Sequence, residues 1–365
     1  MTIRVLFLIN GLGLGNSTRC LAIIDELSKL GATIEVVTSG NGTWFLSNRA
    51  QISKIHKSEP FHYGAKEGRI SILKTFKELG HTLTKFFRNR YSLKKIIEEF
   101  CPHIIVPDSE YTFTRAQKGK IPLVAINNSN VVFFSFFRFS QTPRSIWAQF
   151  FGVELLDLIF HKIVSDLVIS PALDQSLSRS SKKFLQVGPI VRNLYQRKKP
   201  LDQNRKRVVI MLSGSIFGTQ LRVHRQNYPF EIDVIGCNAP AGWQSRDQIT
   251  FHGKLLDTFW LLSQADLVVV NGGFSAVSEV FSMKIPMVVV PVPKHSEQWV
   301  NGQTIVNLGV GVMADEASLE EVMLLAYEQL DDFRNSYRTL QPTMNGAIQA
   351  ARKIISLAKA SLEIK

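Results

Sequence analysis

Short runs of β-branched and apolar residues alternate along the chain with stretches whose apolar positions recur every three to four residues. Arg4–Asn10 predicts a strand, Ser17–Leu30 an amphipathic helix and Thr33–Thr38 a second strand, with further strands at Ile104–Pro107 and Leu123–Ile126. A second series starts at Val208–Leu212 and continues through Glu231–Ile235, Leu267–Val270 and Met287–Pro291, with helical segments between. Strand–helix alternation of this kind is the pattern of a parallel α/β sheet, and its recurrence implies two such units. The tail from Ser318 to Lys365 reads as helices broken at Pro342, with a terminal helix that suits either unit.

Between the series, Val187–Arg207 carries Pro189, Pro200 and seven Lys or Arg, a composition suited to a linker. The expected domains are therefore 1–197 and 198–365, a division that the length of 365 residues also favours. With 45% hydrophobic residues the chain has ample material for two cores, which excludes general disorder. The longest uncharged span, Ile121 to Phe137, is interrupted by Asn127, Asn128, Ser129 and Asn130, so a membrane-spanning helix is not expected. Val5–Gly15 carries Asn10 and three glycines and lacks a small-residue cleavage pattern, so it reads as strand plus loop rather than as a leader. Three widely spaced cysteines form no metal or disulfide pattern and point to a cytoplasmic setting.

The net charge of +13 is uneven: residues 1–190 hold 24 basic against 14 acidic groups, and the remainder 19 against 16. Eleven Lys or Arg lie in Ser53–Phe100, and Val131–Phe160 follows with Phe133, Phe134, Phe136, Phe137, Phe139, Trp147, Phe150 and Phe151 around Arg138 and Arg144. Cations beside aromatics suit an anionic membrane surface; half of a core helix with a solvated charged face is the competing reading. Val131–Phe139 contains adjacent apolar pairs rather than clean helical spacing, so part of it is expected in a loop or exposed. No nucleic-acid recognition module is present, and nucleic acid is not an expected partner.

Two segments carry candidate chemistry. Gly11-Leu12-Gly13-Leu14-Gly15-Asn16-Ser17-Thr18-Arg19 joins a strand to a helix, where Gly13 and Gly15 would let a ligand or a neighbouring loop approach the helix N-terminus. It departs from the dinucleotide fingerprint at Asn16, has no acidic residue at the end of the next strand (Thr38-Ser39-Gly40), and lacks the Gly-Lys-Ser/Thr of a P-loop. The second segment runs Asn271-Gly272-Gly273-Phe274-Ser275-Ala276-Val277-Ser278-Glu279, then a strand, then Glu297-Gln298-Trp299-Val300-Asn301. Backbone N–H groups near Ser275 and Ala276 suit a diphosphate at the positive end of a helix. Glu279 suits a vicinal diol, and Glu297 and Gln298 suit sugar hydroxyls.

These segments resemble the GT-B glycosyltransferases of families 1 and 28. Gly273–Glu279 is similar to the donor-site segment of the lipid-linked N-acetylglucosaminyltransferases, and Glu297-Gln298-x-x-Asn301 resembles the end of the family 1 nucleotide-sugar signature. Gly214-Ser215-Ile216-Phe217-Gly218 resembles the glycine loop that opens their C-terminal domain. The resemblance implies two Rossmann-like domains facing a cleft, an N-terminal acceptor domain and a C-terminal donor domain. It also implies a UDP-sugar donor, no cofactor or essential metal, and inversion at the anomeric carbon. By the same analogy the backbone around Phe251-His252-Gly253 lies against the nucleobase, and Glu279 binds the ribose. Retaining relatives carry two glutamates seven residues apart, whereas Asn271 stands at the earlier place here.

Many relatives have His where this chain has Asn16, and a carboxamide cannot accept a proton at neutral pH. Asp108 and Glu110 follow a predicted strand at its C-terminal end, where α/β sheets place ligands, and Asp108 is the expected base; an N-cap for a helix over Thr112–Lys118 is the competing reading of the same residue. Arg19 and Lys294 are candidate phosphate partners, and His252 and His295 lie near the donor segments without a role that sequence alone assigns. The expected activity is inverting transfer of a sugar to a hydroxyl acceptor, which the basic, aromatic first half suggests is lipid-linked. A nucleotide-sugar epimerase of the same fold and a catalytically silent binding protein are the alternatives.

Overall fold

A computed structural model describes residues 2–59, 65–66, 69–70, 79–111, 121–174, 180–192, 206–211, 227–239 and 248–363. The chain divides into two compact units, one made of Met1–Phe133, Leu155–Arg192 and Thr343–Lys365, the other of Phe134–Glu154 and Asn193–Pro342. Gly214, Ser215, most of the linker and the segment Thr112–Lys118 lie outside the described residues.

In the first unit the strands are β1 (Arg4–Ile9), β2 (Thr33–Thr38), β3 (Lys54–Lys57), β6 (Ile104–Asp108), β7 (Val124–Ile126), β8 (Leu167–Pro171) and β9 (Phe184–Val187); β4 (Ala65–Lys66) and β5 (Arg69–Ile70) pair only with each other. The seven form a parallel sheet in the order β3-β2-β1-β6-β7-β8-β9. Val5–Ile9 and Ile104–Asp108 are buried along their length, as strands covered on both faces must be. Its helices are α1 (Leu14–Lys29), α2 (Gly40–Leu46), α3 (Leu79–Phe100) and α5 (Leu155–Val164), while α4 (Ser129–Arg138) starts in this unit and ends in the other.

The second unit has a six-stranded parallel sheet in the order β12-β11-β10-β13-β14-β15. Its strands are β10 (Lys206–Met211), β11 (Phe230–Ile235), β12 (Ile249–Phe251), β13 (Leu267–Asn271), β14 (Met287–Val290) and β15 (Gly311–Met313). Its helices are α6 (Phe274–Ser282), α7 (Ser296–Asn307), α8 (Leu319–Glu328) and α9 (Leu330–Thr339). The core packs Val208, Ile210, Ile232, Val234, Val269 and Val288 against Leu319, Met323, Ala326 and Phe333. Each such Val, Ile, Leu, Met or Phe side chain stabilises the unit by about 1.5–3 kcal/mol relative to exposure.

After Pro342 the chain returns to the first unit, where α10 (Gly346–Glu363) packs through Ala347, Ala350, Ala351, Ile354 and Ala358 on the same core as Cys20, Ile23, Ile24 and Leu27 of α1. Small residues allow the close approach: a Cβ on Gly346 would lie 2.0 Å from the Gly188 carbonyl oxygen. Asn345 Nδ2 donates to the Val191 carbonyl at 2.9 Å, and Gln349 Oε1 accepts from Gly188 N–H at 3.0 Å, which fixes the register of α10.

In the phenylalanine-rich segment Ser129–Arg138 is a helix and not a loop, and the expected exposure is found at part of it. Adjacent rings point opposite ways: Phe136 is buried and stacks on Phe150 with centroids 3.7 Å apart, while Phe134 and Phe137 are exposed. The segment is thus both core and surface.

Candidate functional site

In the second unit β13 ends at Asn271, the chain turns through Gly272 and Gly273, and α6 begins at Phe274. A Cβ on Gly272 would lie 2.5 Å from the Gln298 carbonyl oxygen, so this position must be glycine for the turn to reach α7. Asn301 Nδ2 donates to the Gly272 carbonyl at 2.8 Å, and Asn271 Nδ2 donates to the Val290 carbonyl at 3.1 Å; the two carboxamides hold the turn from both sides. Gly273 is the N-cap and makes no side-chain cap, and a Cβ placed on it would meet nothing within 4 Å. The first turn of α6 thus starts without a side-chain cap, with Ser275 buried in it and Glu279 buried about one turn further on.

Gln298 Oε1 accepts from Val292 N–H at 2.9 Å and shapes the loop before α7. His295 is the N-cap residue of that helix. Its Nδ1 is buried with no hydrogen-bond partner; burial pushes the imidazole below its ordinary range, and the Glu297 charge opposes this. Lys294 is exposed and has a left-handed backbone, with φ of 66°.

Phe251 and His252 end at Gly253, whose φ of +62° makes a turn that other residues adopt only with strain. His252 is not a plain loop residue: its Nε2 lies 2.6 Å from Asp233 Oδ1, and Arg207 Nη1 lies 3.3 Å from Asp233 Oδ2.

In the first unit Gly11 is pressed against the turn after β2, since a Cβ there would lie 1.7 Å from the Ser39 carbonyl oxygen. Asn10 Oδ1 accepts from Leu12 N–H at 3.0 Å and Asn10 Nδ2 donates to the Ser109 carbonyl at 3.0 Å, tying the glycine loop to the end of β6. Asn41 Nδ2 donates to the Leu12 carbonyl at 3.0 Å. Gly13 is the N-cap of α1 with open space around it, Gly15 is exposed, and Asn16 is half-buried with its Nδ2 3.5 Å from the Asn10 carbonyl.

Asp108 closes β6 and is fully buried. Arg19 forks onto it, Nε to Oδ2 at 2.6 Å and Nη2 to Oδ1 at 2.5 Å, and Cys20 Sγ lies 3.2 Å from Oδ2. A carboxylate enclosed and engaged at both oxygens is suited to a strut; proton uptake would break the fork. Arg19 is likewise buried in this pair rather than at the surface. The next residue, Ser109, has φ of 51°, a strained conformation for serine, and carries the chain to half-buried Glu110.

One polar network has almost no signal in the sequence. Asp157 on α5 accepts from Tyr111 Oη at 2.7 Å and from Asn127 Nδ2 at 2.6 Å, and His161 Nε2 lies 3.2 Å away. Burial pushes the Asp157 carboxyl up, but the His161, Asn127 and Tyr111 contacts outweigh it and hold the group below its ordinary value. Only the i,i+4 spacing of Asp157 and His161 hints at it.

Two parallel sheets with helices, each with a glycine turn that opens onto a helix, are the architecture of the GT-B fold. The glycosyl transferase family 1 model matches residues 3–329, and the chain belongs to that family. A glycosyltransferase of Methanosarcina acetivorans is 25% identical over 384 residues, covering 97% of each chain. The UDP-N-acetylglucosamine--N-acetylmuramyl-(pentapeptide) pyrophosphoryl-undecaprenol N-acetylglucosamine transferase of Shouchella clausii is 32% identical over 89 residues, 24% of this chain and 25% of that protein. Among solved structures, MurG of Acinetobacter baumannii superimposes with a TM-score of 0.61 at 14% identity over 97% of this chain and 99% of its own. The calicheamicin glycosyltransferase CalG4 gives 0.61 at 17% identity over 98% and 99%. The protein is an enzyme that transfers a sugar, binding a nucleotide-sugar donor and an acceptor.

Proposed function

We propose that the protein is an inverting, UDP-sugar-dependent glycosyltransferase acting on a hydroxyl of a lipid-linked acceptor at the cytoplasmic face of a membrane. The observation that carries the donor half is the start of α6, where Gly273 brings no side-chain cap and a Cβ on it would meet no atom within 4 Å, followed by buried Ser275 and Glu279. Its N–H groups stabilise the charge that develops on the departing diphosphate, so the chemical step needs no metal. Glu279 takes the ribose hydroxyls, the Phe251–Gly253 backbone meets the base, and Glu297 and Gln298 read the sugar.

In the chemical step the acceptor hydroxyl loses its proton, its oxygen bonds to the anomeric carbon, and the bond from that carbon to the diphosphate oxygen breaks with its electron pair leaving on UDP. Glu110, carried past the strained Ser109, is the proton acceptor. Asp108 acts through Arg19 by fixing the loop that presents Gly13, Gly15 and Asn16, and the Asn16 carboxamide orients the acceptor hydroxyl.

A lipid-linked acceptor is supported by α5, where Leu156, Ile159 and Ile163 are exposed at 58, 43 and 57% along one face beside exposed Lys162. Among the described residues no helix is long and apolar enough to cross a membrane, so contact with the bilayer is peripheral. Cys20, Cys101 and Cys237 are all free thiols, which suits a reducing compartment.

The test is mass-spectrometric detection of sugar transfer from a panel of UDP-, TDP- and GDP-sugars into a lipid extract and a soluble-metabolite extract, comparing the wild type with Glu279→Ala. Transfer from a UDP-sugar into the lipid fraction, lost in the variant, is the expected result. Transfer confined to soluble acceptors overturns the lipid assignment, and nucleotide binding without any transfer overturns the catalytic one.

A further inference from the structure

We propose that Glu154, His295 and Glu297 form a binding site for a divalent cation of the zinc class, fastening the turn Phe150–Glu154 to the start of α7. One ring nitrogen of His295 and one carboxylate oxygen from each glutamate lie within 4.8 Å of one another. Glu154 is buried, and His295 Nδ1 is buried with no hydrogen-bond partner. A buried ring nitrogen without a partner costs stability, and coordination of a metal ion through it removes that cost.

The surroundings resemble the outer shell of a metal centre. Gln149 Nε2 donates to Glu154 Oε1 at 3.0 Å, while its Oε1 accepts from Ser296 N–H at 2.9 Å and from Ser296 Oγ. One carboxamide thus orients a ligand carboxylate and is itself held by the helix that carries the other two ligands. Tetrahedral zinc at roughly 2.0–2.2 Å from N and O ligands spaces them about 3.4 Å apart, so side-chain rotations of about 1 Å close the site. The imidazole selects a borderline ion over magnesium or calcium, which take oxygen ligands, and three protein ligands leave a fourth position for water.

The assignment goes beyond sugar transfer, which needs no metal in the reading above. It meets that reading at one residue: Glu297, when bound to zinc, is withdrawn from the sugar hydroxyls, so zinc loading weakens donor binding.

The experiment titrates the chelator-stripped full-length chain with Zn²⁺ alone, by calorimetry and by competition with a chromophoric chelator. The expected result is one equivalent bound by the wild type, with affinity at least tenfold lower in His295→Ala and in Glu154→Gln. Substitution with Co²⁺ is expected to give a d–d absorption band that His295→Ala removes, and circular dichroism establishes that both variants are folded. Absence of stoichiometric zinc binding in the wild type, or undiminished binding in folded His295→Ala, overturns the site. UDP binding, measured separately without zinc, reports on the donor assignment alone, so failure of either is recognised independently.

Discussion

Arg19 and Asp108, 89 residues apart, grip one another through two parallel contacts, Nε to Oδ2 at 2.6 Å and Nη2 to Oδ1 at 2.5 Å, with both residues buried. The pair locks the second turn of α1 to the end of β6 and so fixes the glycine loop between β1 and α1. Asp108→Asn leaves the guanidinium buried without a counter-charge, and a loss of about 3–5 kcal/mol in urea unfolding is expected. The double replacement Arg19→Met with Asp108→Leu removes both charges and is expected to recover most of that loss. If Asp108→Asn is as stable as the wild type yet inactive in transfer, Asp108 works on the substrate and not as a strut.

Cys20 touches the same carboxylate. Burial pushes its thiol well above the ordinary range, the Asp108 charge adds to this, and Arg19 only partly offsets it. Cys101 is exposed, and Cys237 lies between the two and is raised by burial. Iodoacetamide at mildly alkaline pH is therefore expected to label native Cys101 first, with Cys20 modified only on unfolding. Peptide mapping over time measures this, and early labelling of Cys20 would mean that the loop around the Arg19 pair opens readily.

The two glycines before α6 separate folding from binding. Gly272→Ala forces a Cβ to 2.5 Å from the Gln298 carbonyl oxygen and 2.8 Å from its Cβ, contacts that the backbone cannot relieve cheaply. A stability loss of about 1–3 kcal/mol is expected from such overpacking. Gly273→Ala meets no atom within 4 Å, and its φ of −63° suits alanine, so the melting temperature should stay near that of the wild type. A methyl group at the open helix start would nevertheless obstruct a diphosphate, and UDP affinity is expected to fall about tenfold, or by about 1.4 kcal/mol. Unchanged UDP affinity in Gly273→Ala would remove the diphosphate from this turn.

The central strands were legible because burial on both faces leaves a continuous apolar run: Leu267–Asn271 and Met287–Val290 read directly as strands. Four strands that the alternation did not yield, Lys54–Lys57, Phe184–Val187, Ile249–Phe251 and Gly311–Met313, are the edges of the two sheets. Edge strands are short and half-exposed, so they carry no such run. Leu167–Pro171 is interior and buried, and its Leu-Val-Ile run carries the same apolar signal. Helix α1 begins at Leu14 instead of Ser17 because Gly13 is the cap, so Leu14, Gly15 and Asn16 of the glycine loop are already helical. At the candidate site, the Gly272–Gly273 turn was legible because its constraint is local. The Arg19 fork and the Asp157 network were not, since each joins a helix residue to residues far away in the chain, Arg19 and Asp108 being 89 positions apart and Tyr111 and Asp157 46.

The Asp157 network sets a pH dependence whose sign follows from its geometry. Tyr111, Asn127 and His161 hold the folded carboxyl below its ordinary value of 3.8, more than offsetting the burial that pushes it up. A carboxyl depressed on folding releases its proton more readily in the native state, so the unfolded chain binds more protons through the acid range and stability rises with pH there. The contribution is fully present above the unfolded value, declines as pH falls below about 4, and is gone once pH passes the depressed folded value. In Asp157→Asn the Asn127 and Tyr111 donors face a neutral carboxamide, and the part of the acid limb that this group supplies is absent. Chemical denaturation at steps between about pH 2 and pH 6 is expected to give the variant a lower plateau and a shallower acid slope than the wild type. A variant with the wild-type slope would mean that other carboxylates supply the whole acid limb and that Asp157 titrates alike in the folded and unfolded chains.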